Sequence, residues 1–153
     1  MSEPQPTLVD QHQIKFNMAL TAILLASAYL LDSWIPVAIA IVCQVAGAAG
    51  LAFAPYRLLY KYVAVPSRLV KPHVIPDHHA PHRFAALVGG LFNVIGLTLL
   101  LSGAEIAGWI FIAIVFVLSN LNLWLGFCAG CFMYYLLNKA GMPGFIYAPV
   151  GSE

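Results

Sequence analysis

The chain has 153 residues, of which 61% are hydrophobic and 8% charged. A soluble domain carries about 25% charge, so these side chains cannot cover a water-soluble globule. A net charge of +1, with no dense basic cluster, leaves nothing to neutralise a phosphate backbone; nucleic acid is excluded as a partner and a lipid membrane is expected.

In chain order, residues 1–13 form a polar, proline-containing tail with no basic n-region, and no small-residue cleavage site follows, so the first apolar stretch is not expected to be a removable signal peptide. Four apolar stretches follow: about Ile14 to Leu31, Ile35 to Phe53, Phe84 to Leu101, and Ile106 to beyond Gly126. Each reaches the ~17–25 residues that cross the hydrocarbon core as a helix, the form that leaves no backbone group unpaired in lipid. The connections at Asp32-Ser33-Trp34 and Ser102-Gly103-Ala104-Glu105 are short. The expected fold is therefore an all-α, polytopic membrane protein with four transmembrane helices arranged as two related hairpins, 14–53 and 84–138. A cytoplasmic His/Pro-rich loop, 54–83, joins them, and a tail, 139–153, follows.

All seven Lys and Arg residues (Lys15, Arg57, Lys61, Arg68, Lys71, Arg83 and Lys139) fall on one side of these stretches, whereas the two short connections carry only Asp32 and Glu105. Basic residues in short loops stay cytoplasmic, so an inner-membrane protein with both termini in the cytoplasm is expected. Trp34, Trp109, Tyr56, Tyr60, Tyr62, Tyr134 and Tyr135 sit near the predicted interfaces. No charged residue falls in the core of a span, which argues against an ion-coupled transporter. The long polar segment Lys61–Arg83 holds four prolines and four of the five His, so one continuous helix is not expected there. Tyr56 to Val63 mixes aromatic, aliphatic and basic residues and is read as lying along the membrane surface.

The hairpins resemble each other. Lys15-Phe16 and Arg83-Phe84 open spans one and three, each preceded by an Asp (Asp10, Asp77) and by His. Aligning Gly50 with Gly126 sets Ala52 on Cys128, Pro55 on Cys131 and Gln44 on Asn120. This is a parallel repeat in which the second copy carries the thiols.

Gly126-Phe127-Cys128-Ala129-Gly130-Cys131 is the sharpest local signal. About 20 residues at ~1.5 Å from Glu105 bring the chain to the inner boundary near Gly126, and at i and i+3 on a helix the two thiols share a face. Such a pair can cycle between dithiol and disulfide or bind a soft metal, with Cys131 expected to be the more accessible nucleophile. The competing reading is structural: Cys is a common buried apolar residue, and Gly126 with Gly130 makes a close-packing G-x-x-x-G. Cys43, alone in span two, reads as packing; three Cys with none in an outer loop argue against a structural disulfide framework. His78, His79 and His82, with Asp77, are candidate metal ligands, alone or together with the thiols, although the spacing matches no standard zinc signature and a solvated loop is the plainer reading. Asp77 and Asp10 are candidate helix caps. Asn120 could shape a polar path to Cys131; the alternative is ordinary interhelical hydrogen bonding.

Ala54-Pro55-Tyr56, Pro66-Ser67-Arg68-Leu69, Pro81-His82-Arg83-Phe84-Ala85, Leu121-Asn122 and the G-F-C-x-G-C stretch together resemble a bacterial family of four-span membrane proteins, domain of unknown function 4395, over roughly Val9 to Asn138. Members of that family often carry Glu after the second Cys; here Phe132 stands there, so a metal or acid–base role for that Glu has no counterpart. The family's genes often stand near thioredoxin-like and rhodanese-like sulfurtransferase genes, and the resemblance therefore implies thiol or sulfur handling at the inner face. The expected function is thiol–disulfide or sulfur-relay chemistry at Cys128 and Cys131 with a cytosolic thioredoxin-like or sulfurtransferase partner. The histidines would tune charge or dock that partner. Two other classes stay open: a binder or transporter of a soft metal or small sulfur species, and a non-catalytic accessory subunit of a larger membrane complex. Quinone, haem and pigment have no recognisable motif here, and the cofactor stays unassigned.

Overall fold

The computed structural model describes residues 7–68 and 70–147; the outer parts of both tails and Leu69 of the Pro66–Leu69 motif lie outside them. In chain order the elements are β1 (Thr7–Asp10), α1 (Gln11–Leu30), α2 (Ile35–Ala48), α3 (Pro55–Leu59) running into a π-helical turn (Tyr60–Ala64), β2 (Val74–Asp77), α4 (His79–Leu101), α5 (Glu105–Leu125) and α6 (Ala129–Lys139). Helices α1, α4 and α5 are long and apolar enough to cross a membrane; α2 is apolar but has 14 residues. It stops short of the expected Phe53 because Gly50, at φ +71°, closes it with the Leu51 N–H on the Ala46 carbonyl at 3.2 Å, and Arg83 reaches across from α4 to donate from Nε to the Ala48 carbonyl at 2.8 Å. A cation on the last carbonyls of a helix opposes the negative end of its dipole.

Leu25, Ala28, Val37, Ala40, Ile112 and Val115 form the core where α1, α2 and α5 meet. Asn93 of α4 is fully buried and donates to Gln44 Oε1 of α2 at 2.9 Å, so these two polar residues pair across a helix interface. Asn120 instead donates back to the Phe116 carbonyl within its own helix and builds no path toward Cys131. Outward-facing positions such as Ile23, Val42, Leu91 and Val117 are more than half exposed.

The His/Pro-rich segment 54–83 between the hairpins is built from α3, the π turn, β2 and the first residues of α4. α4 begins at His79 rather than Phe84, since Pro81 falls in the first helical turn, where a missing N–H is not needed.

β1 and β2 pair antiparallel, with Thr7 opposite Asp77 and Leu8 opposite Pro76. The spacing that takes Lys15-Phe16 to Arg83-Phe84 also takes Leu8 to Pro76, and these two face each other, as a local two-fold axis through the ladder requires. The helix contacts obey the same exchange: α1 packs on α2 and α5, and α4 on α5 and α2; α3 packs on α1, and α6 on α4. Under this symmetry the residue before α3, Ala54, corresponds to the residue before α6, Cys128. That is a shift of two from the sequence alignment, which had set Ala52 there.

Asp10 ties the ladder to α1. Its Oδ1 caps the helix by accepting from His12 N–H at 3.0 Å and also accepts from His73 N–H at 3.0 Å; its Oδ2 accepts from the Tyr60 hydroxyl at 2.7 Å. Burial alone would raise this carboxyl's pKa, but the hydrogen bonds from Tyr60 and the backbone outweigh it and hold the group below its ordinary value. A depressed carboxylate pKa contributes stability that is present above the unfolded value of about 4 and is lost as pH falls through the folded value. Asp10→Asn keeps the capping oxygen and removes the charge. It is expected to lower stability by about 1 kcal/mol at neutral pH and to flatten the acid limb, as read by thermal unfolding between pH 3 and 7 in detergent.

Candidate thiol site

α5 does not run through the cysteines. Gly126 adopts φ +68° and terminates the helix, its N–H bonded to the Asn122 carbonyl. This left-handed position favours glycine, and nothing lies within 4 Å of where a Cβ would sit. Gly126 is therefore a stop, not half of a packing G-x-x-x-G. α6 starts three residues later with Cys128 at its cap, and Cys128 Sγ accepts from Cys131 N–H at 3.3 Å. The pair thus straddles a helix start rather than sharing the face of a continuing helix. Their Cα atoms are 5.2 Å apart and the two sulfurs lie at disulfide distance. Backbone N–H groups at a helix start favour negative charge on a sulfur placed there.

Gly130 sets α6 against α4. A Cβ on it would lie 2.5 Å from Ala85 Cβ and 2.6 Å from Ala85 Cα, so only glycine permits this approach. Phe84 and Tyr134 meet edge to face nearby, at 5.8 Å between centroids. The contact brings His82, one turn before Ala85, onto Cys131: Nδ1 to Sγ is 3.3 Å. The other ring nitrogen, Nε2, lies 2.8 Å from Asp77 Oδ2, and Asp77 Oδ1 accepts from His78 N–H at 2.7 Å. Asp77, at the end of β2, is raised by burial but lowered more by His82 and the His78 N–H, so its carboxyl stays below the ordinary value and ionised at neutral pH. The result is one connected line, Asp77–His82–Cys131–Cys128. With Nε2–H given to Asp77, the Nδ1 lone pair faces the thiol; with both nitrogens protonated, Nδ1 donates to it.

Exposure reverses one expectation. Cys131 is buried at 6% exposure, whereas Cys128 is half-buried. Cys128 is the more accessible sulfur, because Cys131 turns inward onto His82.

The other candidate residues separate. His78 is buried, its ring 4.5 Å from that of Tyr147, and its Nδ1 has no hydrogen-bond partner among the described residues. His79 is exposed and lines a cleft of about 390 Å³ with His82, Asn17, Cys43, Arg57 and Arg83. Of the three histidines, His82 alone joins the thiols: its ring and both sulfurs offer ligand atoms all within 4.8 Å of one another. Cys43 is buried in α2. Asp77 as the partner of His82 was missed by the sequence reading, which weighed it only as a ligand or cap. Its five-residue spacing from His82 bends through a strand–helix junction and gives no periodic signal.

A family model described as a domain of unknown function (DUF4395) matches residues 9–139. No curated protein and no solved structure matches the chain.

Proposed function

The chain belongs to this family, DUF4395, and from the geometry of its thiol site we propose that it is a four-span inner-membrane protein performing thiol–disulfide or sulfur-relay exchange with a cytosolic thioredoxin-like or sulfurtransferase protein. The observation that carries the reading is the placement of two sulfurs at disulfide distance on a helix start, with a carboxylate-anchored imidazole 3.3 Å from the inner one.

Topology supports the site's position. β1 pairs with β2, so α1 and α4 begin on the same side. α1 is long enough to cross, so the chain must return before β2. Among the described residues α2 is the apolar helix available for that return, spanning about 21 Å at 1.5 Å per residue and relying on local bilayer thinning. The turns at 31–34 and 102–104 carry no base, and the seven basic residues lie toward the ladder, α3 and α6, which supports reading that face as the cytoplasmic one. Cys128 and Cys131 then sit at the inner interface.

The chemistry follows from exposure. A partner thiolate attacks Cys128 Sγ, the Cys128–Cys131 bond breaks, and its electron pair leaves on Cys131. His82, protonated at Nδ1, gives that sulfur a proton while Asp77 holds the imidazole by Nε2. The partner's second thiol then attacks the mixed disulfide and releases Cys128. The partner ends as a disulfide and this pair as a dithiol, two electrons and two protons having moved; reversal runs the same steps backward. Cys131→Ser, in a Cys43→Ala background, leaves Cys128 unable to be resolved from within. It is expected to accumulate a reducible mixed disulfide in native membranes, read by mass shift and partner mass spectrometry, that Cys128→Ser/Cys131→Ser lacks. A native pair locked in one state under both oxidant and reductant, with no trapped species, would remove the basis for the reading.

A further inference from the structure

We propose that the reduced site also binds metal: Cys128 Sγ, Cys131 Sγ and His82 Nδ1 hold one thiophilic divalent ion of the zinc class, with its fourth coordination position open.

Distances first. At zinc–sulfur and zinc–nitrogen lengths of about 2.3 and 2.0 Å, neighbouring ligand atoms of a tetrahedral site lie about 3.3–3.8 Å apart. Cys131 Sγ and His82 Nδ1 already stand at 3.3 Å, and all three donor atoms fall within 4.8 Å of one another. The two sulfurs, which touch as a disulfide, part on reduction. Cys128 can supply that movement because it precedes the helix rather than lying inside it.

The surroundings match a metal site as well as the donors do. A ligating histidine usually gives its second ring N–H to a carboxylate, which fixes the tautomer and aims the free lone pair at the metal. Asp77 at 2.8 Å from Nε2 does this for His82 and leaves Nδ1 facing the sulfurs. The Cys131 N–H on Cys128 Sγ supports that sulfur as a thiolate. Among the described residues no further His, Cys, Asp or Glu joins His82, Cys128 and Cys131, so three ligands are in place. Three ligands with an open place is the arrangement that admits water or an incoming thiolate.

Binding moves protons and no electrons. The two thiols lose two protons to solvent as two metal–sulfur bonds form, and the divalent charge is balanced by two thiolates. Disulfide and metal are therefore mutually exclusive occupants, and oxidation of the pair by a partner disulfide releases the ion. The inference uses the same residues as the exchange reading but requires only that the pair be reducible.

The test uses the full-length protein in detergent, reduced and freed of metal, titrated with Co²⁺ and then Zn²⁺. One equivalent of Co²⁺ is expected with thiolate-to-cobalt charge-transfer absorption, displaced by Zn²⁺ and absent from the oxidised protein. Asp77→Asn, which leaves all three ligands in place, is expected to weaken binding about 10–100-fold. Reduced protein that binds no equivalent overturns the proposal. So does an equivalent that persists in Cys128→Ser/Cys131→Ser, which would place the ion elsewhere, for instance on the His12–His73 pair with rings 5.4 Å apart. Exchange with a small dithiol is measured in parallel in metal-free buffer. Exchange without metal binding overturns only the metal site, and metal binding without exchange overturns only the exchange reading.

Discussion

His82→Gln is expected to slow thiol–disulfide exchange at Cys128–Cys131 about a hundredfold, the lower end of what a positioned acid–base group contributes. The argument is local. Cys131 is buried and leaves as a thiolate when Cys128 is attacked, so its proton must come from within hydrogen-bond reach. His82 Nδ1 at 3.3 Å is the titratable side chain placed to supply it. Glutamine fills similar space but cannot shuttle a proton, so the rate should fall while the fold, read by circular dichroism, stays. The pH dependence separates this from a packing effect: the variant's exchange rate should lose the wild-type titration and follow only the attacking thiol. Asp77→Asn should give a smaller loss with an altered pH profile, since it leaves the imidazole in place but removes the charge that orients it. Unchanged kinetics in His82→Gln, measured by stopped-flow reduction with a small dithiol, would exclude the imidazole from the reaction.

Gly130→Ala tests whether the site depends on how closely two helices approach. The added methyl would sit 2.6 Å from Ala85 Cα, a backbone atom that no rotamer change can move. α6 must then shift off α4, at a cost of about 1–3 kcal/mol as for other overpacked contacts, and the His82–Cys131 contact opens with it. Exchange should slow toward the His82→Gln rate even though no reacting group has changed. Ala85→Gly added to Gly130→Ala removes the Cβ–Cβ clash but not the Cα one, so a partial recovery is expected. Gly126→Ala makes a useful contrast: no neighbour lies within 4 Å, and the penalty is the ~1–2 kcal/mol of a left-handed residue alone. Stability and rate for these three variants, measured side by side, separate a helix stop from a helix contact.

Much of this molecule is legible in its residues. The long apolar helices show because lipid demands length and hydrophobicity, which composition records directly. The repeat shows through Lys15-Phe16 and Arg83-Phe84 because those pairs stand at equivalent helix beginnings. The Cys128–Cys131 pair stands out by spacing alone. What stays hidden is what depends on tertiary approach. Gly126 reads equally as packing or as a stop, and only its backbone angle decides. Cys131 turns inward because Gly130 lets α6 down onto Ala85, a contact 45 residues away in the chain. The Ala48 carbonyl at the end of α2 is met by Arg83 from another helix. Among three neighbouring histidines, only helical phase after Pro81 singles out His82.

The β1–β2 ladder has a consequence for how the chain is made. A ribosome delivers residues in order, and Asp10 emerges 63 residues before the His73 N–H it accepts. β1 likewise has no partner strand until Val74–Asp77 appear. The head of α1 therefore stays unfastened until translation has passed into the half that carries the thiols. A nascent chain arrested before that point presents an open end with exposed backbone, the kind of segment that proteases cut first. The two short strands thus join the two halves of the chain only once both have been made.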